Sequence, residues 1–336
     1  MRLRRVDCSA PGIRRARRGR GFTYLDENGD PIEDDEVRDR MRALAIPPAW
    51  KDVWICTDPR GHIQATGYDD AGRKQYLYHD AWRDHRDRQK FRQMEAFAAA
   101  LPDVRTRVED DLARRGLVRQ RVLGCAIRLL DLGFFRIGSE RYAAENETYG
   151  LATLMRRQLR IEQRRAVFDY RAKGAKRHVQ VVADPAVLPT LKALKGRRAG
   201  GPELFAYRNG RTWRDVRSDD INEHLKELAG EDFTAKDFRT WNATVLAAVA
   251  LAKHRPRELS RTARRRAINE AVKDVAAYLS NTPSVCRSAY IDPRVLDRFD
   301  SGETIRPALD HEINGSNPGE FPNRERIEGA VLHVIG

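Results

Sequence analysis

Apolar and polar positions change rhythm partway along the chain. Up to about residue 80 the apolar residues fall into short runs of alternating character, broken by turn residues. FTYLDENGDPI carries Asn28-Gly29, a tight-turn pair between strand-like runs. Val53–Cys56 and Ile63–Gly67 flank a Pro-Arg-Gly turn, and Gln75–Tyr78 follows an Asp-Ala-Gly turn. Between these, Asp35–Ala45 reads as a short helix ended by Pro47-Pro48. Tyr76 and Tyr78 alternate with Leu77 and so share one side of their strand.

Residues 81–92 (AWRDHRDRQKFR) are polar with no apolar stripe, which suits a linker or an exposed helix. Beyond them the period lengthens to that of helices. Val122–Leu132 has helical spacing, as do Trp241, Val245, Val249 and Ala252, and again Ile268, Val272, Val275 and Leu279. Ala166–Val182 breaks this rule, because two β-branched or aromatic runs flank Ala172-Lys173-Gly174-Ala175 and predict a hairpin with Lys173 at its turn. Soon after Tyr290 the chain becomes rich in Gly, Pro and Asn and reads as loop or weakly ordered tail. The fold class expected is α+β. A basic N-terminal arm (1–20) precedes a small antiparallel β-sheet domain (21–88). A larger, mainly helical domain with a β-hairpin (89–302) and a tail (303–336) complete the chain.

Composition adds a partner. The 336 residues suffice for two domains, and 63 Lys and Arg against 49 Asp and Glu give a formal charge of +14. Such a balance points to a polyanion, either nucleic acid or an anionic membrane surface. Residues 1–20 hold eight arginines, an arm that is either solvated or laid against phosphates. The four cysteines are scattered without a CxxC pair, so neither a zinc site nor a disulfide framework is expected, and a reducing cytoplasm fits. The N-terminus lacks a signal-peptide core, and no stretch approaches the ~20 apolar residues of a membrane span, so no membrane partner is expected.

Several common chemistries lack their motifs: there is no GxxxxGK[ST], no HExxH, no GxSxG and no carboxylate cluster of the two-metal kind. Phosphoryl chemistry without metal or nucleotide cofactor needs its positive charge from Arg and Lys. Two guanidiniums can grip the non-bridging oxygens, a lysine crowded by arginines can protonate a leaving sugar oxygen, and a tyrosine can form a covalent ester. The chain offers Arg136 in FFRIG, Lys173 in the hairpin, Lys236 and Arg239 in KDFR, and Asn281 followed by Tyr290 in SNTPSVCRSAY. Each alone is ordinary: a solvated arginine, a turn lysine, surface charges, a half-buried core tyrosine.

In this order, and with the flanking words FRIGSERY, ENETYGLATL, KDFRTW and SNTPSVCRSAYIDP, the chain resembles the type IB DNA topoisomerases, particularly their compact bacterial and poxvirus-like branch. PPAWKDVWI and GRKQYLYH extend the resemblance from about residue 10 to about 300. The resemblance implies that Tyr290 is the nucleophile of a 3′-phosphotyrosyl intermediate and that Arg136 and Arg239 bind the scissile phosphate. Lys173 would be the general acid toward the 5′ oxygen. Asn281 stands where many relatives have His; its amide can donate a hydrogen bond but carries no charge. DNA contacts are implied for Arg73, Gln75, Tyr76 and Tyr78 in the small domain and for Tyr142 and Lys236 in the large one. The implied architecture is a C-shaped clamp on double-stranded DNA. The implied enzyme is metal- and ATP-independent, monomeric and nucleoid-associated, and it relaxes supercoils by strand rotation and religation.

A tyrosine recombinase is the main alternative, since it shares the Arg-Lys-Arg-Tyr chemistry. Such enzymes usually carry His-x-x-Arg where this chain has Lys236-x-x-Arg239, and they usually begin with a helical domain. A purely architectural DNA binder would account for the charge but not for Tyr290 after Asn281. Nothing here matches an RNA-binding signature of the RRM or KH kind.

Overall fold

In the structure, a computed structural model, residues 2–19, 21–133, 135–230, 233–309 and 324–336 are described, without the side chains of Arg141 and Tyr142. The chain divides into two compact units, Met1–Arg92 and Gln93–Gly336.

The first unit is built on a five-stranded antiparallel sheet. Its strands are β1 (Ile13–Arg18), β2 (Gly21–Leu25), β3 (Lys51–Ile55), β4 (Ile63–Tyr68) and β5 (Lys74–Tyr78), in the order β2-β1-β3-β4-β5. Helix α1 (Asp35–Ala43) covers one face. Asp34 caps it by accepting from the N–H groups of Glu36 and Val37, and Asp35 and Glu36 in its first turn and Arg40 and Arg42 in its last complement the helix dipole. Ile13, Met41, Ile46, Val53, Ile55 and Ala65 form the core, with Leu77 packed against it.

The N-terminal arginines depart from the expected arm. Ile13–Arg18 is an inner strand, paired with β2 on one side and β3 on the other. Sequence alternation conceals it because arginines fill strand positions. Arg15 is half-buried and donates to the carbonyls of Ile46, Pro47 and Trp50, each at 2.9 Å, with its guanidinium carbon 4.2 Å from the Phe22 ring centroid. A guanidinium whose donors are met can lie where an apolar side chain is usual. Asn28-Gly29 does form a turn, but β2 pairs backward with β1, leaving only an isolated bridge from Leu25 to Pro31 beyond the turn.

Residues 81–92 fall within α2 (Asp80–Ala113). The second unit continues with α3 (Arg119–Asp131), α4 (Glu140–Asn146) and a three-stranded sheet of β6 (Leu159–Glu162), β7 (Arg165–Arg171) and β8 (Arg177–Val182). Helix α5 (Leu188–Gly196) and the hairpin β9 (Ala206–Asn209) and β10 (Thr212–Asp215) follow, then α6 (Ser218–Ala229), α7 (Ala235–Ala252), α8 (Arg261–Tyr278), α9 (Pro283–Ala289), α10 (Pro293–Asp300), α11 (Arg306–Leu309) and α12 (Arg324–Ile335). The α+β class expected from the change of rhythm is what the chain adopts. Helix α7 is the central element, buried on most of its circumference from Phe238 and Trp241 to Leu251 and Ala252. Phe97 of α2 meets Phe233 and Phe238 edge-on, with ring centroids 5.2 and 5.0 Å apart.

The tail also differs from expectation. Residues 310–323, which hold most of its Gly and Pro, lie outside the described residues, but α12 follows them. Ile327, Val331 and Ile335 are buried along one side of that helix, at the helical spacing of four. Among the described residues no helix is long and apolar enough to cross a membrane, and no group of three or more His, Cys, Asp or Glu is placed to hold a metal ion.

Phe97 is 1% exposed and central to its aromatic cluster. Phe97→Ala is expected to lower the stability of the second unit by about 3–5 kcal/mol, measured by urea unfolding. A loss below about 1 kcal/mol would mean that the ring cluster is not a core element.

Candidate active site

Helix α7 begins at a local signal. Thr234 is its N-cap: the Thr234 N–H donates to Asp237 Oδ2 at 2.8 Å, and the Asp237 N–H returns to the Thr234 carbonyl at 2.9 Å. Asp237 of the KDFR word is therefore a capping residue rather than a free surface charge. Lys236 is exposed in this first turn, while Arg239, three residues on, points inward and is 5% exposed. Its Nη2 donates to the Leu279 carbonyl at 2.9 Å.

Leu279 ends α8, and the chain reverses there. Ser280 takes a left-handed conformation (φ +52°), and the Asn281 N–H donates to the Ala276 carbonyl at 2.8 Å. Thr282 then caps α9 with Pro283 at its first position. This reversal turns the Leu279 and Ser280 carbonyls and the Asn281 side chain toward Arg136. Arg136 Nη2 donates to Asn281 Oδ1 at 2.7 Å, to the Ser280 carbonyl at 3.1 Å and to the Leu279 carbonyl at 3.4 Å. The Arg136 backbone is held too, its carbonyl accepting from the Leu151 N–H at 2.8 Å. Gly150 allows that approach, since a Cβ there would lie 2.5 Å from Gly138 Cα and 2.8 Å from the Arg136 oxygen.

Tyr290 occupies the break between α9 and α10. Asp292 caps α10, and its own N–H donates to Thr244 Oγ1 on α7 at 3.0 Å. Helix α7 thus bears Arg239 and also anchors the backbone beside Tyr290. The tyrosine is half-buried, with the Arg239 guanidinium carbon 5.4 Å from its ring centroid. Arg136, Arg239 and the Asn281–Tyr290 stretch are therefore brought together from three separate parts of the chain.

Burial first, and the nearby Arg136 charge second, pull the Arg239 guanidinium below its ordinary range, while Tyr290 opposes them. Arginine does not lose its proton in response, so the shift measures a buried charge poorly compensated by its surroundings. Two buried donors, Arg239 Nε and Asn281 Nδ2, have no hydrogen-bond partner. Unpartnered buried donors are costly, and donors gathered at one place suit an anion.

Lys173 stands apart from this cluster. It lies in the exposed turn between β7 and β8, where the Ala172 N–H donates to the Lys176 carbonyl at 2.8 Å, and no described contact joins it to Arg136 or Tyr290. The base of its hairpin does adjoin the site. Phe135 packs edge-on against Phe168 at 4.9 Å, and His178 Nδ1 lies 3.5 Å from Ser280 Oγ. Burial pushes the Tyr170 phenol well above its usual range, against the opposing pull of Arg239 and Arg136. Tyr170 and His178, cross-strand partners in the hairpin, are site neighbours that sequence reading missed. Their only signal was register: both fall on the strand face opposite the one that exposes Val179 and Val181.

In the first unit, Tyr76 and Tyr78 are 44% and 39% exposed and stack with centroids 6.1 Å apart, while Leu77 faces the core. Gln75 lies on the Leu77 side instead. Its Nε2 donates to Asp69 Oδ2 at 2.8 Å, and Arg73 is ion-paired to the same carboxylate at 2.8 Å. The Tyr142 side chain lies outside the described residues.

A cationic cluster beside a half-buried phenol has the chemistry to receive an anion. The family profile for the catalytic core of eukaryotic DNA topoisomerase I matches residues 79–304, and that for the N-terminal domain of bacterial DNA topoisomerase IB matches residues 21–69. The chain belongs to the type IB DNA topoisomerase family. It is 27% identical to DNA topoisomerase 1B of Acanthamoeba polyphaga mimivirus over 319 residues, 92% of this chain and 93% of that protein. It is 27% identical to DNA topoisomerase 1 of Schizosaccharomyces pombe over 215 residues, 63% of this chain and 25% of that one. Identity to DNA topoisomerase I of Monkeypox virus is 21% over 285 residues, 82% of this chain and 87% of the viral one.

Because Arg239 is a buried charge without a carboxylate partner among the described residues, Arg239→Leu is expected to leave stability in the absence of DNA within about 1 kcal/mol of the parent. Thermal unfolding of the two proteins checks this. A loss above about 3 kcal/mol would make Arg239 a structural tie rather than a charge held for a ligand.

Proposed function

We propose that the chain relaxes supercoiled double-stranded DNA by the type IB route, with Tyr290 as nucleophile. The phenol oxygen attacks the scissile phosphorus, an O–P bond to Tyr290 forms, the bond to the 5′ oxygen breaks, and a 3′-phosphotyrosyl ester and a 5′-hydroxyl result. Arg136 and Arg239 grip the non-bridging oxygens, and the unpartnered Nδ2 of Asn281 donates to one of them. Charge that grows on those oxygens in the transition state meets donors already in place, so little reorganisation is needed. The ester retains the energy of the broken bond, so religation needs neither ATP nor another cofactor. Between the two steps the free strand rotates about the intact one.

The observation that carries this reading is the meeting of Arg136, Arg239 and Asn281 beside Tyr290, with no carboxylate among their described partners. Lys173 delivers the proton to the 5′ oxygen once DNA is seated, from a hairpin whose base already packs on Phe135. Exposed Lys236 grips phosphate, as does Tyr142, while the stacked pair Tyr76 and Tyr78 presents a flat face and two hydroxyls to the duplex. Arg73 and Gln75 contact DNA from their shared Asp69 anchor, which limits the positions they can take. One site per chain suffices, and we assign a monomer acting at the nucleoid.

The direct experiment is plasmid relaxation in EDTA without ATP, followed by denaturation in detergent with 3′-side and 5′-side labels. The parent is expected to relax the plasmid and retain the 3′ side covalently. Tyr290→Phe should lose both activities while still binding DNA. An adduct that persists in Tyr290→Phe would overturn the assignment.

Lys173→Ala is expected to slow cleavage by roughly 10²–10⁴-fold with little change in noncovalent affinity, in line with loss of a general acid. A 5′-thiol leaving group, which needs no proton, should restore most of the rate. Failure of the thiol substrate to rescue the variant would remove Lys173 from proton transfer.

A further inference from the structure

We propose that the C-terminal helix α12 braces the active site, and that Arg324 is a positioning residue for Arg136, acting through the end of α3. The inference rests on the reading of Arg136 as a phosphate-binding residue. It concerns a helix that lies beyond the stretch matched to the topoisomerase core, which ends at residue 304.

Arg324 opens α12 and enters a buried polar hub. Its Nη2 donates to the Asp131 carbonyl at 2.9 Å, to Asp131 Oδ1 at 2.8 Å and to Asn242 Oδ1 at 3.0 Å. Its Nε donates to Glu328 Oε1, one turn along the same helix, at 2.8 Å. Arg105 closes the hub from α2 with paired bonds to Asp131 (both 3.0 Å) and to Glu328 (2.7 and 2.8 Å). Asp131 and Glu328 are 2% and 6% exposed. Burial alone would raise the Asp131 pKa, but Arg324, Arg105 and Arg128 outweigh it and hold the carboxyl below its usual range.

The hub touches the segments that bear the three phosphate-binding residues. Asp131 is the last residue of α3, five before Arg136, and its carbonyl also accepts from Asn242 Nδ2 at 3.1 Å. The next carbonyl, of Leu132, accepts from Tyr278 Oη at 3.4 Å. Gly133 follows in a left-handed conformation (φ +85°), where a Cβ would lie 3.1 Å from the Asn242 side chain. Asn242 lies three residues beyond Arg239 on α7, and Tyr278 three residues before Asn281. One buried cluster therefore registers the approach to Arg136 against the helix of Arg239 and the turn of Asn281.

Arg324 bonds both the exit carbonyl of α3 and the Asn242 side chain. Helix-terminal carbonyls have no intrahelical partner, so what bonds them decides where the chain leaves the helix. A displacement of about 1 Å at such a point is enough to cost a catalytic group roughly 10²-fold in rate. A merely stabilising helix would affect the unfolding midpoint and leave cleavage by the folded molecules unchanged.

The experiment uses the full chain and measures three things: single-turnover formation of the covalent adduct at saturating protein, noncovalent affinity for the same duplex in the Tyr290→Phe background, and the unfolding midpoint. Arg324→Ala is expected to slow adduct formation roughly 10–100-fold with affinity nearly unchanged. Arg324→Lys, which keeps the charge but loses the planar fork, should recover part of that rate. Val331→Ala, a cavity in α12 away from the hub, should lower the midpoint while leaving the rate within about twofold of the parent. Where Arg324→Ala does not fold, Arg324→Lys decides: a several-fold slower rate in folded protein supports the brace, and a parental rate sinks it. Adduct formation at the parental rate in Arg324→Ala, or equal slowing in Val331→Ala, also overturns it. Arg136→Ala separates the two levels, because parental cleavage by that variant would defeat the reading of the site itself.

Discussion

Two guanidiniums meet at the carbonyl of Leu279, and neither is ion-paired to a carboxylate among the described residues. The rest of the helical unit can be understood as the structure that makes this arrangement tolerable. Elsewhere several enclosed arginines of this chain are paired with carboxylates. Arg105 has Asp131 and Glu328, Arg128 has Asp184, and Arg294 has Asp292 and Glu95. Arg197 has the carbonyls of Leu194 and Leu204, with its Nε buried and without a partner, so carbonyl-held arginines are not confined to one place in the fold. Arg136 and Arg239 have carbonyl and amide oxygens, which orient a guanidinium but do not cancel its charge. An uncompensated buried charge is expensive, and an anion arriving beside it would offset that cost.

The same constraint explains why the site is spread over so much sequence. Two like charges do not attract, so each must be held by neutral scaffolding from its own direction. Helix α7 supplies one hold, through an inward-facing turn and through Thr244, which fixes the backbone beside Tyr290. The reversal after α8 supplies another, by presenting two consecutive carbonyls and the Asn281 side chain to Arg136. Glycines where the Arg136 segment passes Gly150 remove side chains from a crossing that has no room for them. These devices serve geometry.

Much of this was legible in the sequence where a residue's role is local. The spacing of Trp241, Val245, Val249 and Ala252 marks a helix that is there, and the Ala172–Ala175 hairpin turn forms where its residues place it. Those signals are short-range, so they survive without tertiary context. The inner strand β1 was not legible, because Arg15 satisfies its donors with carbonyls more than thirty residues away and leaves no apolar alternation to read. Helix α12 was hidden by the Gly- and Pro-rich run before it. Its buried face is short, and its polar partners, Arg105 and Asp131, lie in distant helices. Tyr170 and His178 were missed because only strand register, not residue type, turns them toward the site.

Asn281 illustrates how charge and geometry trade against each other at such a place. A protonated imidazole there would donate to an oxyanion and bring a further positive charge, but it could not accept a hydrogen bond. The amide does both jobs from one planar group: Oδ1 accepts from Arg136 at 2.7 Å, while Nδ2 is a buried donor with no partner. With two guanidiniums already converging, a third cation would raise the cost of the assembled site before DNA arrives. A neutral group that aims one of the existing charges adds order without adding repulsion. In a cluster limited by the electrostatic cost of its own assembly, holding Arg136 in place can matter as much as one more unit of charge.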